Sequence, residues 1–80
     1  MKLLKFQAAW CGPCKLISQV LTTINIPFEV QEIDIDQEEE LTKKYNIRGV
    51  PTLILLDDKE DIVTTHVGAL TKVQFVEKFL

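Results

Sequence analysis

The 80-residue sequence predicts an α/β domain with element order β-α-β-α-β-β-α and a four-stranded mixed sheet. Three observations predict it. Strand-like runs at 2–9 and 28–35 flank a stretch whose apolar residues recur at helical spacing, which makes a βαβ unit. Two further strand-like runs, Thr52–Leu56 and Asp61–Val67, are joined by the polar turn Asp57-Asp58-Lys59-Glu60 and make a hairpin. Capping patterns then mark helix starts near residues 36 and 71. The βαβ unit implies a parallel strand pair with a right-handed crossover, and the hairpin adds antiparallel strands.

Each element has its own local reason. In residues 2–9, Leu4, Phe6 and Ala8 share one face while Leu3, Lys5 and Gln7 share the other. Trp10-Cys11-Gly12-Pro13 is a turn, and Pro13 suits the first helical position, where its missing N–H is not needed. From Cys14 to about Thr23, Leu16, Ile17, Val20, Leu21 and Ile24 form an apolar stripe, which Asn25-Ile26-Pro27 ends. Phe28, Val30, Ile33 and Ile35 mark the second strand. Asp36 with Glu39 three residues on offers a capping-box variant for a helix to about Tyr45. The acidic run Glu38-Glu39-Glu40 suits the positive end of that helix, as a solvated start and not a binding patch. Asn46–Pro51 is a loop. Thr71 with Gln74 opens the last helix, on which Val73, Val76, Phe79 and Leu80 face inward.

Composition narrows the function. No repeat or linker divides the chain, and its length suits one domain spanning 1–80. Hydrophobic residues make up 46% and charged residues 26%, a globular balance. No run approaches the ~18 apolar residues of a membrane helix. The net charge of −3 disfavours nucleic-acid or anionic-membrane partners. The start, Met1–Phe6, lacks the uninterrupted apolar stretch of a signal peptide, because Lys5 and Gln7 break it. The expectation is a mature cytoplasmic protein, where a disulfide is transient and not structural.

Cys11 and Cys14 carry the chemistry. A bond between cysteines three residues apart closes almost no chain and stabilises little. A strand, a turn and a helix opening on Cys-x-x-Cys instead put the first sulfur at a helix N-terminus, where free N–H groups and the dipole favour a thiolate. Cys14, one turn on, reaches back to Cys11, so the pair can carry two electrons: Cys11 attacks a target disulfide and Cys14 resolves the mixed disulfide. Zinc is the competing reading, but a structural site normally takes four ligands. His66 is the one further soft ligand and reads as an ordinary strand residue, so no metal site is expected.

Trp10-Cys11-Gly12-Pro13-Cys14-Lys15 resembles the active-site signature of the thioredoxins. The resemblance continues through Asp34-Ile35-Asp36-Gln37, Tyr45–Leu53 and Val67-Gly68-Ala69-Leu70, covering nearly the whole chain in order. It implies a minimal thioredoxin fold, a cis Pro51 facing the cysteines, and Val50 offering its backbone to an extended substrate. Trp10, Gly12, Pro13, Val50, Pro51, Gly68 and Ala69 would then form the substrate-binding collar around Cys11. Gly68 also reads as a plain turn glycine, and both readings can hold.

Two departures from the family pattern matter. An extra strand and helix usually precede the strand leading to the cysteines, whereas ten residues precede Cys11 here, a size closer to glutaredoxins. Residues 28–35 should then lie at a sheet edge, where Glu29 and Glu32 discourage edge pairing. Family members also carry a buried aspartate six residues before the first cysteine, paired with a lysine on the neighbouring strand. Those positions here hold Lys5 and Glu32. Either the two form a reversed pair beneath Cys14, with Glu32 in the proton-relay role, or both stay wet, with Lys5 snorkelling and Glu32 on an edge.

The resemblance implies a protein-disulfide reductase of the thiol-disulfide oxidoreductase class, with Cys11 the nucleophile and Cys14 the resolving thiol. It implies no bound cofactor beyond the cysteine pair itself, a monomer, protein disulfide substrates, and a thioredoxin-reductase-like flavoprotein that passes on electrons from NADPH. Two alternatives stand beside it: a glutaredoxin-like activity drawing on glutathione, and a non-catalytic interaction module built on the same fold.

Overall fold

A computed structural model describes residues 1–80. The chain runs β1 (Lys2–Gln7), α1 (Gly12–Thr22), β2 (Glu29–Asp34), α2 (Glu39–Lys44), β3 (Thr52–Leu56), β4 (Ile62–Val67) and α3 (Lys72–Phe79). The four strands form one sheet in the order β2-β1-β3-β4. β1 pairs with β2 in parallel and with β3 antiparallel, and β3 with β4 antiparallel. This is the expected element order and mixed sheet. β2 and β4 are the two edges.

The sheet is covered on both faces. Leu3, Ile17, Leu53, Leu55, Leu70, Phe75 and Phe79 form one buried cluster, which ties α1 and α3 to the sheet. Leu4, Phe6, Ile33, Ile54 and Leu56 form the other, with Leu41 and Tyr45 from the α2 region packed against it. All five β3 residues are buried, as expected of a central strand with both faces covered. The alternation along β1 therefore separates two apolar faces and not an inside from an outside.

Several boundaries and faces differ from the sequence expectation, each for a physical reason. α1 opens at Gly12, earlier than Cys14, with Cys11 as its N-cap and Pro13 in the first turn, where backbone N–H groups have no helical partner. On α1, Ile17 is fully buried and Leu21 and Ile24 pack on the core, while Leu16 is exposed. Asp36 does not cap α2: the chain turns first, with Glu38 N–H donating to the Asp34 carbonyl, and Glu38 holds the cap position without a side-chain bond. Glu39 and Glu40 do lie in the first turn of α2 and Lys43 and Lys44 in the last, matching the helix dipole.

On α3 the predicted capping box is present, with Thr71 and Gln74 bonded reciprocally. The inward face is different. Phe75 and Phe79 are buried and stacked at 5.1 Å, whereas Val73, Val76 and Leu80 are exposed. Two aromatic rings at i and i+4 remove more apolar area from water than the valines would, and they set the rotation of the helix.

Candidate active site

β1 ends at Gln7, and Cys11 N–H donates to the Ala8 carbonyl at 3.1 Å, which folds the chain into a tight turn before α1. Cys11 is extended (φ −89°, ψ 106°), the geometry of an N-cap, and its sulfur accepts the Cys14 backbone N–H at 3.1 Å. A helix N-terminus with a donor aimed at the sulfur stabilises negative charge there. Cys11 and Cys14 are disulfide-bonded, with Cα atoms 5.3 Å apart. Both are buried with Ala8, and Val50 and Ile35 pack against them.

The Val50–Pro51 peptide bond is cis. Pro51 is buried, its carbonyl accepts the Gly68 N–H at 2.9 Å, and Thr52 Oγ1 donates to the Gly49 carbonyl at 2.7 Å. The two loops of the expected collar are thus bonded to each other. Gly68 has φ +97°, a conformation that favours glycine, as its reading as a turn glycine requires. Trp10 is exposed beside Cys11, with its indole N–H donating to Asp36 Oδ2 at 3.1 Å. Gly12, Pro13 and Ala69 are exposed.

His66 does more than fill a strand. The Ala69 carbonyl 3.2 Å from Nε2 can only accept, so Nε2 carries the proton, and Nδ1 then accepts from Lys78 Nζ at 3.1 Å. The imidazole thereby ties the loop at Ala69 to α3.

Lys5 is the charged residue of the interior. Its side chain is 0% exposed, so it does not snorkel. Nζ donates to Gln7 Oε1 and to Ser18 Oγ, and it lies 3.9 Å from Glu32 Oε1. Burial pushes the Lys5 pKa below its usual 10.5, and the Glu32 carboxylate opposes that shift. Glu32 itself, on edge strand β2, is 61% exposed and accepts from Gln7 Nε2 at 3.3 Å. The reversed pair therefore forms, with one partner dry and the other wet. A cleft of about 280 Å³ runs along this network, lined by Gln7, Ser18, Glu32, Asp34 and Cys14 among others. Gln7 and Ser18 were not expected here. Their signal is spacing alone: Gln7 shares Lys5's strand face, and Ser18 lies one helical turn beyond Cys14.

No group of three or more His, Cys, Asp and Glu side chains converges to hold a metal ion. No helix is long and apolar enough to cross a membrane.

The sequence model of the Thioredoxin family matches residues 1–80. The chain belongs to the thioredoxin family. It is 43% identical over 76 residues to a thioredoxin of Buchnera aphidicola, an alignment covering 90% of this chain and 69% of that one. An SPbeta prophage-derived thioredoxin-like protein of Bacillus subtilis is 40% identical over 68 residues, covering 85% of this chain and 82% of the relative. Among solved structures, a mutant thioredoxin from Halobacterium salinarum superposes with a TM-score of 0.86 at 35% identity, over 95% of this chain and 68% of that one. The fold is the thioredoxin fold. With its Cys11–Cys14 pair at the head of α1, this member of the family is a thiol-disulfide oxidoreductase that reduces protein disulfides, and its redox group is part of its own chain.

Proposed function

We propose that this protein works in the reducing cytoplasm as a monomeric electron carrier, recharged by a flavoprotein reductase of the thioredoxin-reductase type drawing on NADPH. The observation that carries the reading is Cys11 capping α1 with Val50 packed against the cysteine pair, the arrangement a disulfide exchanger needs. An extended target segment lies along the Val50–Pro51 backbone, flanked by Trp10, Gly12 and Pro13 on one side and Gly68 and Ala69 on the other. Cys11 attacks the target disulfide and Cys14 displaces the target's thiolate. Glu32, which shares the cleft with Cys14, takes up the proton that Cys14 releases.

Turnover of a protein disulfide tests the donor. With NADPH and a bacterial thioredoxin reductase, sustained reduction is expected, and with glutathione and glutathione reductase alone the rate should fall at least tenfold. The reverse ranking would move the protein to a glutaredoxin-like role. A Cys11→Ser, Cys14→Ser variant that retained the protein's cellular function would make it an interaction module instead.

A further inference from the structure

The Lys5 network reaches the resolving cysteine. Lys5 Nζ donates to Ser18 Oγ, and Ser18 Oγ in turn donates to the Cys14 carbonyl at 3.1 Å. Cys14 and Ser18 are one helical turn apart, with Cβ atoms ~5–6 Å from each other. The cation is thus held against the turn that carries Cys14, and Cys14 forms part of the wall of the adjoining cleft. A positive charge held near a thiol favours its ionised form.

Four charged groups face this region, and they do not cancel. Lys5 comes from β1, Glu32 and Asp34 from β2, and Lys15 from α1. Glu32 and Lys15 are exposed, Asp34 is partly so, and water screens all three; the Lys5 side chain has no contact with solvent. The field acting on Cys14 through the protein interior is therefore that of the buried cation.

We propose that Lys5, held by Gln7 and Ser18, is a positioning residue for the second half of the reaction: it favours the thiolate of Cys14 and so speeds resolution of the mixed disulfide. This rests on the reductase reading above. In the step concerned, Cys14 loses its proton and its thiolate attacks Cys11 Sγ. The Cys11–Cys14 bond forms, the Cys11–target bond breaks, and the target sulfur leaves as a thiolate carrying the electron pair. By stabilising the dithiol's ionised form, Lys5 also makes the pair more oxidising wherever Cys14 is ionised.

The test uses the reduced full-length protein and a chromogenic aromatic disulfide in rapid mixing. Cys11 attack releases one coloured thiolate and resolution by Cys14 releases a second. In Lys5→Met the pH profile of the second phase should move up by about one unit, a tenfold loss of rate below the midpoint, with the first phase retained. The midpoint potential above that pH should fall by about 30 mV, the tenfold change converted. Lys5→Arg should restore the profile. Linkage supplies a check that needs no variant: in the wild-type protein, the Lys5 ε-methylene resonances should titrate at higher pH in the reduced than in the oxidised state. A second-phase profile unmoved in Lys5→Met, or identical Lys5 titrations in both redox states, overturns the proposal. Absence of the first phase in wild type would instead overturn the reductase reading, and this proposal with it.

Discussion

Truncating Phe75 to alanine should cost about 4 kcal/mol of unfolding free energy. The ring is fully buried among Leu3, Ile17, Leu53, Leu55 and Leu70 and stacks on Phe79. Removing on the order of 150 Å² of apolar area at about 25 cal/mol per Å² gives ~4 kcal/mol, within the roughly 3–5 kcal/mol typical of buried Phe→Ala changes. A domain of 80 residues has a total of only about 4–12 kcal/mol to lose. Phe75→Ala should thus stand at or near the edge of folding, and Phe75→Leu, which leaves a smaller cavity, should fold with a reduced midpoint. Val76→Ala and Val73→Ala, at side chains from residues 41% and 64% exposed, should each cost less than about 1 kcal/mol. Urea unfolding of the oxidised proteins, followed by far-ultraviolet circular dichroism, measures all four. A valine variant as damaging as Phe75→Leu would refute the assigned rotation of α3 and the packing argument behind it.

Two further outcomes follow from the backbone and from charge. Glu60 sits at φ +65° in the β3–β4 turn, so Glu60→Gly should relieve roughly 1 kcal/mol of left-handed strain, nearly offset by the entropy glycine loses on folding, and change Tm by less than about 3 °C in calorimetry. Lys5 has its pKa lowered in the folded state, so the unfolded chain binds its proton more tightly and folding bears a cost at neutral pH. As pH rises from the lowered value toward 10.5 that cost disappears. The oxidised wild type should therefore gain stability relative to Lys5→Met over that window, and a gap constant from pH 7 to about 10.5 in denaturant titrations would count against the burial of the ammonium.

Elements whose chemistry is local are legible in the sequence. The capping box at Thr71 and Gln74 and the polar turn after β3 each depend on residues within four positions of one another, and both are present. The Cys-x-x-Cys placement also followed from neighbours: strand, turn and Pro13. The departures from local expectation have tertiary causes. Asp36 has the side chain of an N-cap, yet it spends its carboxylate on the indole of Trp10, 26 positions away in sequence. On α3, an eight-residue helix, the valine and phenylalanine patterns give two compatible phases, and only the facing core selects the aromatic one. The fate of Lys5 depended on whether a thin fold could satisfy a buried ammonium. Gln7 and Ser18 supply the acceptors, and no periodicity marks them as a pair. The family pattern offers Lys5 and Glu32 as a pair but leaves open whether both stay wet; the parallel register of β1 and β2 sets the two side by side.

The two edges of the sheet are unequal in a way that bears on self-association. β2 carries Glu29, Glu32 and Asp34 along its length, so a second copy approaching that edge meets like charge. β4 reads Ile62-Val63-Thr64-Thr65-His66-Val67 and has no carboxylate at all, with Ile62, Val63 and Val67 open to solvent. Its guard is the irregularity between Leu55 and Leu56, which breaks the flat register a docking strand requires. The two edges are therefore guarded by different means, charge at β2 and an irregular ladder at β4. Two copies joined at β4 would present only acidic β2 edges outward, and the assembly would stop at a closed pair and not run on into a fibre.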